Sequence, residues 1–99
     1  MKYRSKPIEI EAYRYPGNLK EAPEWIKKAW DSEIIFLKEI YEDNYLCLKT
    51  PAGDMFIFEG DYITNDRGEL DCYDEIIFNQ LFEKVEVPGT EGVNNGQML

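Results

Sequence analysis

The sequence predicts an α+β fold in which a mainly antiparallel, strongly bent sheet packs against one amphipathic helix and a short C-terminal helical turn. Several short segments alternate apolar and polar residues, as strands with one buried face do. The loops between them are short, which favours antiparallel neighbours, and a half-open barrel is one form that the bent sheet can take. With 99 residues, 43% of them hydrophobic, the chain can bury one core. We expect residues 1–87 to form a single α+β domain and residues 88–99 a disordered tail.

The first predicted strand begins at Ile8 and carries two tyrosines that are candidates for binding a partner. Its alternation directs Ile8, Ile10 and Ala12 toward the core, and it places Tyr13 and Tyr15 on the opposite face beside two glutamates. If that face is open, aromatic rings beside carboxylates are typical of protein interfaces. If the sheet is covered on both faces, the tyrosines are simply buried. The sequence leaves both alternatives open.

The predicted amphipathic helix begins at Pro23, because proline fits the first position of a helix. The side chains of one helix face then follow at helical spacing, and they are Trp25, Ile26, Ala29 and Trp30. We expect both tryptophans to pack in the core rather than to form an exposed binding face.

The remaining strands are predicted after this helix and are separated by turn residues. Their predicted ranges are 33–41, 45–50, 55–58, 61–64, 69–73 and 82–87. Residues 42–44 are expected to join the first two of these strands as a hairpin. Asp74 is a good N-cap for a short helical turn that precedes the last strand.

Residues 54–75 are the most acidic part of the chain, with eight carboxylates against the single cation Arg67. Apolar residues are interleaved with these carboxylates, so the segment is expected to form short strands with one charged face. A rigid negative surface of this kind suits contact with a basic partner. The residues that we expect to bind this partner are Asp61, Asp66, Glu69, Asp71 and Asp74, with Tyr13 and Tyr15 as aromatic anchors.

The charge is unevenly distributed, with a net of +3 over residues 1–30 and −12 over residues 31–99. Duplex nucleic acid would be repelled by the larger part, because binding it depends on neutralising phosphates. We therefore expect no direct contact with nucleic acid. The expected partner is a protein with a basic surface, such as one that itself binds nucleic acid.

The sequence predicts neither export nor a membrane anchor. Apolar runs such as Ile34–Leu37 are four residues long, which is far shorter than a membrane span, and no continuous apolar stretch follows the basic N-terminal residues. We therefore expect a cytoplasmic protein in which Cys47 and Cys72 are reduced and mostly buried.

The chain contains no histidine, which excludes Ser-His-Asp and Cys-His nucleophile systems and His-ligated metal sites. Two cysteines alone make a poor zinc site, and no glycine-rich phosphate-binding motif occurs. The segment Asn65–Glu69 is expected to be a hairpin turn, because it lacks the ligand spacing of a calcium-binding loop. We therefore expect no enzyme, no catalytic residue, no cofactor and no metal ion.

Two blocks of the sequence resemble those of a known protein family. The first block is Lys2-Tyr3-Arg4-Ser5-Lys6-Pro7-Ile8-Glu9-Ile10-Glu11-Ala12-Tyr13, and the second contains Gly60-Asp61-Tyr62-Ile63, Gly68-Glu69, Cys72 and Asp74-Glu75-Ile76-Ile77-Phe78. In this order they resemble a family of small proteins encoded by bacteriophages and prophages. The chain departs from that family at Arg14-Tyr15, where a Gln-Trp pair is common, and in the spacing before Phe78, which is two residues longer. The resemblance implies a phage or prophage source, no established activity and no functional residues that can be carried over.

The acidic surface and this resemblance together lead us to expect a non-enzymatic phage accessory protein that binds and inhibits a host protein in the bacterial cytoplasm. A defence nuclease or another nucleic-acid-handling enzyme would present the basic surface that such a protein requires. One alternative is a structural or assembly protein of the phage particle, or an oligomeric accessory protein, that uses its aromatic faces. Another alternative is a domain that binds a small ligand or a metal ion inside the curved sheet.

Overall fold

Residues 9–85 are described by a computed structural model, and they form two helices and two antiparallel three-stranded sheets. This confirms the α+β class. In chain order the elements are β1 (Glu11–Arg14), α1 (Glu24–Asp31), β2 (Ile35–Ile40), β3 (Asp43–Thr50), β4 (Gly53–Ile57), β5 (Tyr62–Asp66), β6 (Glu69–Tyr73) and α2 (Glu75–Leu81). The predictions for Ile8, for residues 86–87 of the last strand and for the tail 88–99 lie outside the described residues.

The strands divide into two sheets, so the prediction of a single bent sheet is wrong. Sheet 1 has the order β1-β5-β6 and sheet 2 the order β2-β3-β4. Over residues 9–85 these sheets do not close into a barrel. The division arises where β5 leaves β4 and pairs with β1 instead, with Tyr13 opposite Ile63. Alternation of apolar residues predicts that a segment is a strand but does not say which strand it pairs with.

Two hairpins of the fold have tight turns with left-handed backbone. In the β2–β3 turn Tyr41 has a φ of 51° and Glu42 a φ of 71°, and in the β5–β6 turn Arg67 has 53° and Gly68 has 97°. Positive φ at both central residues is the geometry whose twist matches that of the flanking strands. The β2–β3 connection is shorter than predicted, because Asp43 already pairs with Ile40 in the ladder.

Both sheets and helix α1 contribute to one hydrophobic core. The side chains of Ile26, Ile35, Leu48 and Ile63 are fully buried in it. Helix α1 presents Ile26 and Ala29 to the core, and Trp25 packs against the same cluster. Trp30 is 41% exposed, so the prediction that both tryptophans pack in the core is wrong for this one.

The side chains of the first strand that point to the core also differ from those predicted. Ala12 is exposed, whereas Tyr13 and Tyr15 are half-buried and pack against the core. Tyr13 lies opposite the buried Ile63, and directly opposed residues of an antiparallel pair share a face. The pairing with β5 therefore fixes Tyr13 on the core side of sheet 1.

Helix α2 covers part of the outer face of sheet 1. The Phe78 ring stacks on Tyr62 with centroids 4.0 Å apart, and Phe82 lies 5.6 Å from the ring of Tyr73. The predicted final strand is not formed over residues 82–85, which are irregular. Phe82 is held instead by its contacts with the aromatic side chains of Tyr73 and Phe78.

The predicted N-cap at Asp74 is present, because its carboxylate accepts a hydrogen bond from the Ile77 N–H at 2.8 Å. We expect Asp74→Ala to lower the free energy of unfolding by about 1 kcal/mol, since one N-terminal N–H of α2 then loses its partner. Urea unfolding followed by circular dichroism measures this change. Asp74→Asn is the matched control, since its amide oxygen can still accept the bond. An equal loss in both variants would contradict a capping role.

Candidate functional site

Three of the five candidate carboxylates lie together on the outer face of sheet 1. Asp66 is directly opposite Glu69, and Asp71 is directly opposite Thr64, so strand alternation places all three acidic side chains on one face. They line a cavity of about 150 Å³ whose wall also includes Thr64 and Tyr73. We call Asp66, Glu69 and Asp71 the acidic face.

The three carboxylates of the acidic face are held to different degrees. Asp71 accepts hydrogen bonds from its neighbour, the Cys72 N–H, at 2.9 Å and from the Tyr73 hydroxyl at 3.3 Å. Asp66 forms an ion pair with Arg67 at 3.0 Å. Glu69 is exposed and makes no ion pair within residues 9–85. Its carboxylate is therefore free to meet an incoming cation.

Asp61 and Asp74 do not join the acidic face. They flank the β5–β6 hairpin at the end away from its turn, and a five-residue strand separates the two ends by about 13 Å. The Asp61 carboxylate accepts a hydrogen bond from the Phe58 N–H at 2.9 Å, which closes the β4–β5 loop. Asp74 caps helix α2. Both side chains therefore have local structural roles, and the negative surface is smaller than the sequence suggested.

Tyr13 and Tyr15 lie on the core side of sheet 1, which is the side opposite the acidic face. Burial raises the pKa of both hydroxyls, and the negative charges of Glu21 near Tyr13 and of Glu59 near Tyr15 raise them further. Both tyrosines therefore stay neutral in the physiological range. The structure does not bring them together with the carboxylates that they were expected to accompany.

The two cysteines are free and buried. The Cys72 thiol donates to an Asp61 carboxylate oxygen at 3.9 Å. Its pKa is raised to about 12, first by burial and then by the charges of Asp61 and Asp71. Burial also raises the pKa of Cys47. Since the thiolate is the reactive form, neither cysteine is activated as a nucleophile.

An apolar groove that the sequence did not predict lies between helix α1 and the β2–β3 hairpin. Its volume is about 480 Å³. The apolar lining consists of Tyr15, Leu19, Trp30, Leu37 and Leu46, and Lys27 and Asp31 stand at its rim. We call this cavity the Trp30 groove. The sequence signal for this groove was Trp30, the second tryptophan of an eight-residue helix.

The outer face of sheet 2 is rich in aromatic side chains. The rings of Tyr45 and Phe56 lie 5.6 Å apart, and those of Phe56 and Phe58 lie 6.0 Å apart. Phe56 is 43% exposed and Phe58 is 54% exposed. The outer face of sheet 2 is therefore a second exposed apolar surface among the described residues.

Within residues 9–85 no group of acidic and cysteine side chains has the arrangement of a metal site. None of the described helices has the length and apolar character needed to span a membrane. No protein-family model, curated protein or solved structure matches this chain.

We expect the Cys72 thiol to resist alkylation in the folded protein. Since its pKa is raised to about 12, the neutral thiol persists at about pH 8.5, where an ordinary cysteine is half ionised. The stability that this neutral thiol contributes is present below about pH 8.5 and is lost as the pH rises through the folded pKa. Iodoacetamide labelling read by peptide mass spectrometry, with the urea-unfolded chain as control, measures the rate. Labelling of Cys72 at equal rates in both states would contradict this assignment.

Proposed function

We propose that the protein is a non-enzymatic binding module whose acidic face engages a basic surface on a partner protein. The observation that carries the proposal is the placement of Asp66, Glu69 and Asp71 on one face of a tight hairpin. The tight hairpin fixes the main chain beneath these carboxylates, which reduces the conformational entropy lost on binding, and their charges attract cations before contact.

The net charge of −9 supports a protein partner rather than nucleic acid, because phosphates would be repelled. A protein that handles nucleic acid presents the basic groove that an acidic module can occupy. The resemblance of the two sequence blocks to phage proteins supports a host enzyme of this class, such as a defence nuclease, in the bacterial cytoplasm. In that setting the module would act as an inhibitor by covering the groove.

A pair of charge-reversed variants tests the proposal. Asp66→Lys with Glu69→Lys reverses the acidic face and leaves Asp71, whose carboxylate accepts hydrogen bonds, in place. Glu42→Lys with Asp43→Lys is the matched control, because it changes the net charge equally at the exposed tip of the other sheet. Each protein is immobilised and used to capture partners from bacterial lysate at low and high salt, and the captured protein is then purified for affinity measurement.

We expect reversal of the acidic face to weaken binding of the captured protein by at least about tenfold, and the control pair to change it little. Binding should also weaken steeply as salt is raised, because exposed charges are screened. An equal loss in both variants would show that only net charge matters. Association that is insensitive to salt would contradict the proposal outright.

Self-association is a second candidate function, favoured by the exposed rings of Phe56 and Phe58 on the outer face of sheet 2. Exposed apolar patches of this kind mark contact surfaces. A dimer formed through this face should strengthen with salt, since screening reduces the repulsion between two chains of charge −9. Sedimentation velocity over a range of concentrations measures it, and Phe58→Lys should abolish it. A monomer at all concentrations and salts would eliminate this candidate.

A further inference from the structure

Strand β2 is an edge strand whose outer main-chain groups are open. It pairs with β3 on one side only, as the sheet order β2-β3-β4 requires. The Lys49 N–H donates to the Ile34 carbonyl at 2.8 Å. In an antiparallel pair every second residue bonds to the neighbouring strand, so the even-numbered residues of β2 bond to β3 and the odd-numbered ones do not. Leu37 and Glu39 therefore turn their N–H and C=O groups away from β3. Within residues 9–85 these groups have no hydrogen-bond partner.

The free edge of β2 carries exposed apolar side chains, and an unpaired edge is a template for pairing with another strand. Strand β2 has six residues and is the longest of the four edge strands, which are β1, β2, β4 and β6. Leu37 beside the free edge is 54% exposed, and Trp30 is 41% exposed. The Trp30 groove opens on one side of Leu37, and a second cavity of about 420 Å³ runs along residues 35–37. A strand added to this edge would find space for its side chains.

The charges around this edge select the occupant. Asp31 and Glu33 line the second cavity, and Glu39 lies on the same strand face as Leu37. Lys38 points to the other face of sheet 2, where it pairs with Asp54 at 3.8 Å. A second copy of this chain is disfavoured, because each copy carries a net charge of −9 and β2 has no cation on the Leu37 face. Lys27 at the rim of the Trp30 groove is the one cation among the residues that line the two cavities, and the three carboxylates outnumber it. The complementary occupant is therefore a segment that carries cations.

We propose that the free edge of β2 binds an extended peptide segment in which one apolar residue is flanked by Lys or Arg two positions away on either side. The segment adds to sheet 2 as an antiparallel strand. Its apolar residue lies opposite Leu37, exchanges two main-chain hydrogen bonds with it and inserts its side chain into the Trp30 groove. The two basic side chains share this face and lie near Glu39 at one end and Asp31 at the other. Main-chain pairing supplies affinity and the groove supplies specificity.

This site is independent of the acidic face, since the two lie on different sheets. The acidic face attracts a basic surface of any shape, whereas the β2 edge requires an extended backbone with a free N–H. A variant can therefore lose binding at one of these two sites and keep binding at the other.

The probe is the synthetic peptide acetyl-Thr-Arg-Val-Leu-Val-Arg-Thr-amide, titrated into isotopically labelled full-length protein and followed by NMR. We expect saturable binding in which the amide protons of Leu37 and Glu39 shift downfield and exchange more slowly with solvent. N-methylation of the peptide leucine should weaken binding by at least about tenfold, because the bond to the Leu37 carbonyl is lost. Replacement of both arginines by glutamate should have a similar effect.

Leu37→Lys should weaken binding at least about tenfold. Phe58→Lys is the matched control, because Phe58 has the same exposed fraction, 54%, on the outer face of sheet 2. Asp66→Lys with Glu69→Lys should bind the peptide as the wild type does, which separates this site from the acidic face. Circular dichroism confirms that each variant is folded.

Four results would overturn the proposal. They are no saturable binding at millimolar peptide, equal binding of the N-methylated peptide, equal loss in Leu37→Lys and Phe58→Lys, and a concentration-dependent dimer that Leu37→Lys alone abolishes. The last result would assign the edge to a second copy of the chain.

Discussion

The junction between β4 and β5 is the constraint on which the rest of the fold depends. The Tyr15 N–H donates to the Asp61 carbonyl at 2.8 Å, and the Gly60 N–H donates to the Tyr15 carbonyl at 2.8 Å. Gly60 has a φ of 95°, which glycine adopts without strain. These bonds bring the chain out of sheet 2 and place β5 beside β1. Helix α1, which follows β1 and precedes β2, then closes one core between the two sheets.

This division also decides which surfaces are left exposed. Helix α2 follows β6 directly and covers sheet 1 through the stacked rings of Tyr62 and Phe78. Helix α2 does not extend over the β5–β6 turn, so the acidic face stays accessible beside that turn. Sheet 2 receives no such helix among the described residues. Its aromatic outer face and the free edge of β2 are therefore exposed by the topology, and their apolar side chains have no core to enter.

The features that could be predicted from the sequence are those that depend on residues close together in the chain. The cap at Asp74, the extent of β6 and the buried face of α1 at Ile26 depend on residues a few positions apart, and all three were predicted correctly. The facing of β1 could not be predicted, because it is set by pairing with β5, about fifty residues later. The exposed Trp30 was missed for a related reason. Helical spacing shows which residues share a face, but packing against distant parts of the chain decides which of them are buried.

The same distinction explains why five candidate carboxylates became three. An excess of negative charge in the sequence does not separate acidic side chains that complete the fold from those that remain available. Asp61 and Asp74 accept hydrogen bonds from main-chain N–H groups at 2.9 and 2.8 Å, so their charges stabilise a loop and a helix terminus. Glu69 has no such role. Asp71 also accepts a main-chain hydrogen bond, from the Cys72 N–H, yet it shares one face of sheet 1 with Asp66 and Glu69. Position on the sheet, rather than net charge, therefore decides which carboxylates lie together.

The two proposed surfaces both favour cations, yet they do so through forces of different range. The acidic face acts through exposed charges, whose field extends about 8 Å at physiological ionic strength. The β2 edge acts through main-chain hydrogen bonds and apolar burial, which operate only in contact and are little affected by salt. A partner that carries a basic surface would be drawn in by the first and held by the second only if it also offers an extended, unpaired segment. Such a requirement would make the module selective among the many basic proteins of a cell, because charge alone does not distinguish them.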